Sequence, residues 1–114
     1  MMTRLANGLA AFTCAASVAL GAYASHAAQA QARQRIGLAA LFAFAHALSL
    51  LQLFPRRSGL ARVGRCMLAL GTLLFSGSLA MAGLFDTSTA AAPLGGTLLI
   101  LGWLVIAADF ARAP

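Results

Sequence analysis

Two histidines and a scatter of small hydroxyls are the side chains of this sequence best equipped for chemistry, and the depth at which they sit decides what that chemistry is. His46 stands inside the uncharged run between Arg35 and Arg56, ten residues after Ile36, which is about 15 Å along a helix. An imidazole can both donate and accept hydrogen bonds and can take up or release a proton, which suits a proton relay or a ligand contact. The alternative is a neutral histidine bonded across a helix bundle to a hydroxyl such as Thr72, Ser76 or Ser78. His26, at the end of the first apolar run, has the same two readings. His26, His46, Ser76 and Ser78 are therefore the candidate intramembrane polar residues.

Other chemistries find less support. Two histidines in a helical bundle raise bis-histidine haem ligation, but such ligands must face each other at one depth, and His26 and His46 are expected about half a membrane apart. No cofactor is expected. Cys14 and Cys66 have no C-x-x-C spacing and are expected as free thiols. The chain has no carboxylate pair, H-E-x-x-H, phosphate-binding G-x-x-x-x-G-K or nucleophile elbow. An enzyme is not expected. Asp86 and Asp109 fall at opposite ends of a span, and Asp109 precedes Arg112 by three residues, a spacing that lets them pair on one helical face. Gly95-Gly96 after Pro93 has the look of a phosphate cradle, but close helix packing is the favoured reading.

The elements that position these residues are set by the charges between them. The charged residues are eight Arg and two Asp. Uncharged runs of 28, 20, 20 and 22 residues separate Arg4 from Arg33, Arg35 from Arg56, Arg65 from Asp86, and Asp86 from Asp109. A helix needs about 20 residues to cross a hydrocarbon core of about 30 Å. Four transmembrane helices are predicted near 5–27, 36–54, 66–85 and 94–110, as one membrane domain over 1–114. Every backbone polar group must be satisfied inside a membrane, so the expected fold is all-α, an integral membrane four-helix up-down bundle. Pro55 should end the second helix, and Pro93 should sit harmlessly in the first turn of the fourth.

Composition agrees. Of 114 residues 61% are apolar and 9% charged, with a mean hydropathy of +0.88, against about 45–50% and 25% in soluble domains. A soluble domain of this size could not hide that much apolar surface. The net charge of +6 does not imply nucleic acid, because arginines flanking spans on one side produce it. Arg56, Arg57, Arg62 and Arg65 fall in the connection 55–65, and short arginine-rich connections stay cytoplasmic. Both termini are then inside, with six arginines against Arg33 and Arg35 outside. The four arginines are also candidates for contact with anionic lipid headgroups. A competing reading of the N-terminus is a signal peptide cut near Ala28-Gln29-Ala30, but Leu5–Ala24 is longer than a signal core of about 7–15 residues, and retention is expected.

Membrane helices associate by close packing of small residues. Ser17, Gly21 and Ser25 offer such a face on the first helix, Ala39, Ala43 and Ala47 on the second, Gly71 and Ser76-Gly77-Ser78 on the third, and Gly95 and Gly96 on the fourth. Intramolecular packing is the first reading, and a homo-oligomer contact or a substrate-accommodating seam the second.

The order of Ala19 to His26, Phe42 to His46 in FAFAH, Leu70 to Leu79 in LGTLLFSGSL and Ala92 to Trp103 in APLGGTLLILGW closely resembles the YgdD family, also called the transmembrane protein 256 family. These are small four-span membrane proteins classified as a domain of unknown function. The resemblance touches all four helices, and its most specific element is Phe75-Ser76-Gly77-Ser78-Leu79. The chain departs from the family pattern at Phe42-Ala43, where relatives commonly have Tyr-Gln, and at Ala80, where they often have Tyr. The resemblance implies a four-helix fold in the inner membrane and supplies no activity. Two function classes follow: a non-enzymatic structural or lipid-interacting component, alone, as a homo-oligomer or in a larger complex; or a small transporter or channel subunit with a polar seam around His46, Ser76 and Ser78.

Overall fold

A computed structural model describes residues 2–26 and 29–112 and shows four α-helices with no strand among them. They are α1 (Met2–His26), α2 (Ala30–Leu53), α3 (Gly59–Phe85) and α4 (Ala92–Arg112). Each is long and apolar enough to cross a membrane. The fold is an all-α four-helix bundle, up-down in sense, 50 Å along its longest axis. Residue 27, the expected end of the first helix, and Ala28 of the Ala-Gln-Ala stretch lie outside the described residues.

The helices are longer than the uncharged runs. Arg33 and Arg35 belong to α2, and Arg62 and Arg65 to α3, so the α2–α3 connection shrinks to residues 54–58. Charge marks where lipid ends, whereas arginine is itself a good helix former, and the backbone coils on past the boundary. What stops each helix is local. Pro55 follows α2 and cannot continue its hydrogen bonding. Ser58 caps α3, its hydroxyl accepting the Ala61 N–H at 3.0 Å. Asp86 ends α3 in the left-handed conformation, φ 56° and ψ 39°, with its N–H returned to Ala82 O. Pro93 lies in the first turn of α4.

Consecutive helices pack in series, α1 on α2, α2 on α3 and α3 on α4, and α1 meets neither α3 nor α4. The α3–α4 seam has a size code. A Cβ on Gly64 would meet Ile106 at 2.6 Å, one on Gly102 would meet Leu68 at 3.0 Å, and one on Gly71 would meet Gly95 O at 2.9 Å and Leu99 at 3.0 Å. A Cβ on Gly95 would run into the Phe75 backbone. Read down the seam, Gly64, Leu68, Gly71 and Phe75 face Ile106, Gly102, Leu99 and Gly95, small against large at every level. Such pairing brings backbones close and fills the volume between them, the source of helix attraction in lipid. Leu68 and Leu99 join Leu50 and Leu53 of α2 and Ile106 in one buried cluster.

A Cβ on Gly96 would stand 3.7 Å from the Phe75 ring, an ordinary contact. Two packing expectations are corrected here. Gly77 has nothing within 4 Å of where its Cβ would stand; the seam follows positions 64, 68, 71 and 75, and Gly77 is rotated off it. Ser25 is exposed, and α1 instead buries Ala10, Ser17 and Ala24, a seven-residue spacing that holds one side of the helix against α2. Gly21 lies on this interface, where a Cβ would stand 3.9 Å from Ala40.

Candidate functional site

The end of the bundle that carries the α2–α3 connection also carries the C-terminal end of α4, and the two are locked together. Arg56 Nε donates to Asp109 Oδ2 at 2.7 Å, and the Ser58 hydroxyl donates to Asp109 Oδ1. Asp109 is only 4% exposed. A buried carboxylate persists when its oxygens are paired and hydrogen-bonded, and here both are. The Arg56 guanidinium also lies 4.0 Å over the Phe110 ring. Arg65 reaches back from α3 and donates to Leu53 O, the last carbonyl of α2, at 3.2 Å and to Arg56 O in the connection, tying the turn to α3. The expected Asp109–Arg112 pairing is thus replaced by a tertiary one. Two of the four arginines named for lipid contact, Arg56 and Arg65, are instead spent on the fold, while Arg57 and Arg62 are exposed.

Deeper in the bundle His46 is buried and both ring nitrogens are engaged. Nδ1 faces its own helix at Phe42 O, 2.8 Å away, and Nε2 accepts the Trp103 indole N–H at 3.1 Å. An indole only donates and a carbonyl only accepts, so the pattern fits one species, the neutral imidazole with its proton on Nδ1. Phe42 stacks on the imidazole at 5.8 Å and tilts against Phe75 at 4.7 Å. The expected hydroxyl partner of His46 is corrected to Trp103. Thr72 bonds within its own helix to Leu68 O. The Ser76 and Ser78 hydroxyls are buried with no hydrogen-bond partner among the described residues. His26 is exposed at the far end of α1.

A third feature was not legible beforehand. Because α1 leans on α2 without reaching α3, a groove of about 920 Å³ opens between α1 and α3 with α2 as its floor. Its walls are mostly apolar, and Arg57, Arg62 and Arg65 stand at one end. No periodicity in the sequence announces it, since it depends on which helices fail to touch. The Trp103–His46 bond was likewise missed; its signal was one tryptophan inside a span, away from the interfaces where such side chains usually anchor.

Four spanning-length helices around an apolar interior define a multi-pass membrane protein. Residues 20–96 match the family described as Protein of unknown function (DUF423). The chain belongs to that family. The match runs from the last two turns of α1 to the start of α4 and so includes His46, the connection arginines and the whole of α3. No curated protein and no solved structure matches the chain.

Proposed function

We propose that this chain is a non-enzymatic, multi-pass component of the bacterial inner membrane, structural or lipid-interacting in role, acting as a homo-oligomer or within a larger complex, and that it falls in the YgdD, or transmembrane protein 256, branch of its family. The observation that carries the reading is the double engagement of His46 by Phe42 O and Trp103 Nε1. A relay histidine passes its proton between partners that can give and take one, and neither a backbone carbonyl nor an indole N–H does so. The orientation we propose has both termini and the α2–α3 connection in the cytoplasm. It rests on the arginine bias: Arg4, Arg56, Arg57, Arg62, Arg65 and Arg112 at one end, Arg33 and Arg35 at the other. Neither nucleic acid nor a cofactor is part of the proposal.

One observation favours a second reading, a small transporter or channel subunit. The buried hydroxyls of Ser76 and Ser78 lack partners, and buried hydroxyls without partners are costly unless they serve a polar path. Reconstitution separates the two readings. The full chain in liposomes with an entrapped pH-sensitive dye should show no proton flux above empty liposomes across roughly pH 5–8, where imidazole changes charge. Flux abolished by His46→Gln would overturn the first reading. Affinity purification in mild detergent then identifies the proteins and lipids that travel with the chain.

A further inference from the structure

We propose that the groove between α1 and α3 is a binding site for one anionic phospholipid, its acyl chain lying along the groove and its phosphate held by Arg57 and Arg62. The proposal deepens the lipid-interacting reading above and rests on it.

The dimensions fit a single leaflet. The α1 wall runs from Met2 to Thr13 and the α3 wall from Arg62 to Leu73, each about 16 Å by helical rise, roughly half of a hydrocarbon core of about 30 Å. The groove begins at the arginine end and fades near mid-membrane, as one acyl chain does. Its interior asks for nothing polar. The Thr13 hydroxyl donates to Leu9 O at 2.8 Å and the Thr72 hydroxyl to Leu68 O at 2.7 Å, so the threonines of the deep wall are already satisfied by their own helices.

The mouth asks for an anion. Arg65 is committed to Leu53 O and Arg56 O, and Arg56 to Asp109, whereas Arg57 and Arg62 are exposed and make no hydrogen bond or ion pair among the described residues. Guanidinium groups recognise phosphate through paired donors. A second copy of this chain would fill the apolar part equally well but could not answer the charge. The chain has two carboxylates. Asp109 is buried and paired, and Asp86 lies at the other end of the bundle beside Arg35. A parallel neighbour therefore brings no free carboxylate side chain to the mouth from its described residues, while an anionic headgroup brings a phosphate.

The test uses the full chain in phosphatidylcholine vesicles with trace chain-labelled phosphatidylglycerol or phosphatidylcholine, read by spin-label spectroscopy as the fraction of label immobilised on the protein. Phosphatidylglycerol should be held in preference, and the preference should fall as salt rises toward about 1 M, where the screening length is about 3 Å. The pair Arg57→Gln and Arg62→Gln should lower the preference by about thirtyfold. Arg112→Gln, at the same end but outside the groove, should leave it unchanged. Ala69→Phe, filling the α3 wall, should release both labels, with helix content by circular dichroism confirming that each variant folds. If one of the arginine variants fails to fold, the salt dependence of the unaltered chain decides. Equal immobilisation of both lipids overturns the anionic site and leaves the lipid-interacting reading intact. Disulfide crosslinking between copies through Cys66, which lines the groove, without immobilised lipid assigns the groove to self-association and overturns the site. Proton flux in the liposome experiment overturns the broader reading.

Discussion

Trp103 donates its indole N–H to His46 Nε2 at 3.1 Å, joining α4 to α2 although their backbones make no direct contact. The side chains reach past α3, and the two aromatic rings lie 5.9 Å apart. A polar pair in this position fixes the rotation of the two helices relative to each other at this depth.

That relationship is measurable. Trp103→Phe keeps the ring and removes the donor, and His46→Leu removes the acceptor. In a double-mutant cycle read by unfolding in mixed micelles, the two changes should couple by about 0.6 kcal/mol, with about 1.7 kcal/mol as the upper end for such bonds in lipid. Nitrogen chemical shifts of the imidazole should report the neutral ring protonated on Nδ1.

The size code of the α3–α4 seam predicts unequal glycines. Gly71→Leu and Gly95→Leu force a side chain into backbone and should each lower stability by more than the about 1–3 kcal/mol usual for overpacking. Gly77→Leu points into open space and should be near neutral. The exchange Leu68→Gly with Gly102→Leu inverts one level of the code, and should be less damaging than the sum of the two single changes, which thermal melts in detergent would show.

The clasp at the arginine end predicts a ranking of carboxylate and cation changes. Asp109→Asn leaves Arg56 without its partner and weakens the bond from Ser58, so its melting temperature should fall well below that of Arg112→Gln, whose side chain is exposed. A similar melting temperature for the two would mean that the clasp adds nothing to the fold.

Orientation is checked by labelling. In a background lacking Cys14 and Cys66, single cysteines at Gln31 and Ser88 should react with an impermeant thiol reagent in intact cells, and one at Arg57 should not. Arg57 is exposed and makes no bond to the fold, so the substitution is structurally silent, unlike one at Ser58, which caps α3. Reaction at Arg57 alone reverses the topology.

The number, order and sense of the helices were legible because charge spacing reports the thickness of the solvent rather than any detail of the fold. Helix ends were less so: Arg33, Arg35, Arg62 and Arg65 mark the edge of lipid, and helices outrun that edge. The close contacts at Gly71 and Gly95 could be read from small-residue spacing, but Gly64, Gly83 and Gly102 could not, since their roles depend on a bulky partner from another helix: Ile106, Ile36 and Leu68. For the same reason the partner of His46, the pairing of Asp109 with Arg56 and the α1–α3 groove lay beyond sequence. Each is a contact, or a missing contact, between residues far apart in the chain.

The clasp between Arg56 and Asp109 spans 53 positions, which gives it a place in time as well as in space. A ribosome delivers the chain from its N-terminus, so the first two helices enter the bilayer as a hairpin while Asp109 is still unmade. Arg56 stays without its partner until the fourth helix has been made, and only then does the carboxylate arrive to bolt α4 to the α2–α3 connection. The same bond that holds the mature bundle thus marks the moment the four helices are assembled, and a chain stalled short of α4 would display an unmatched arginine.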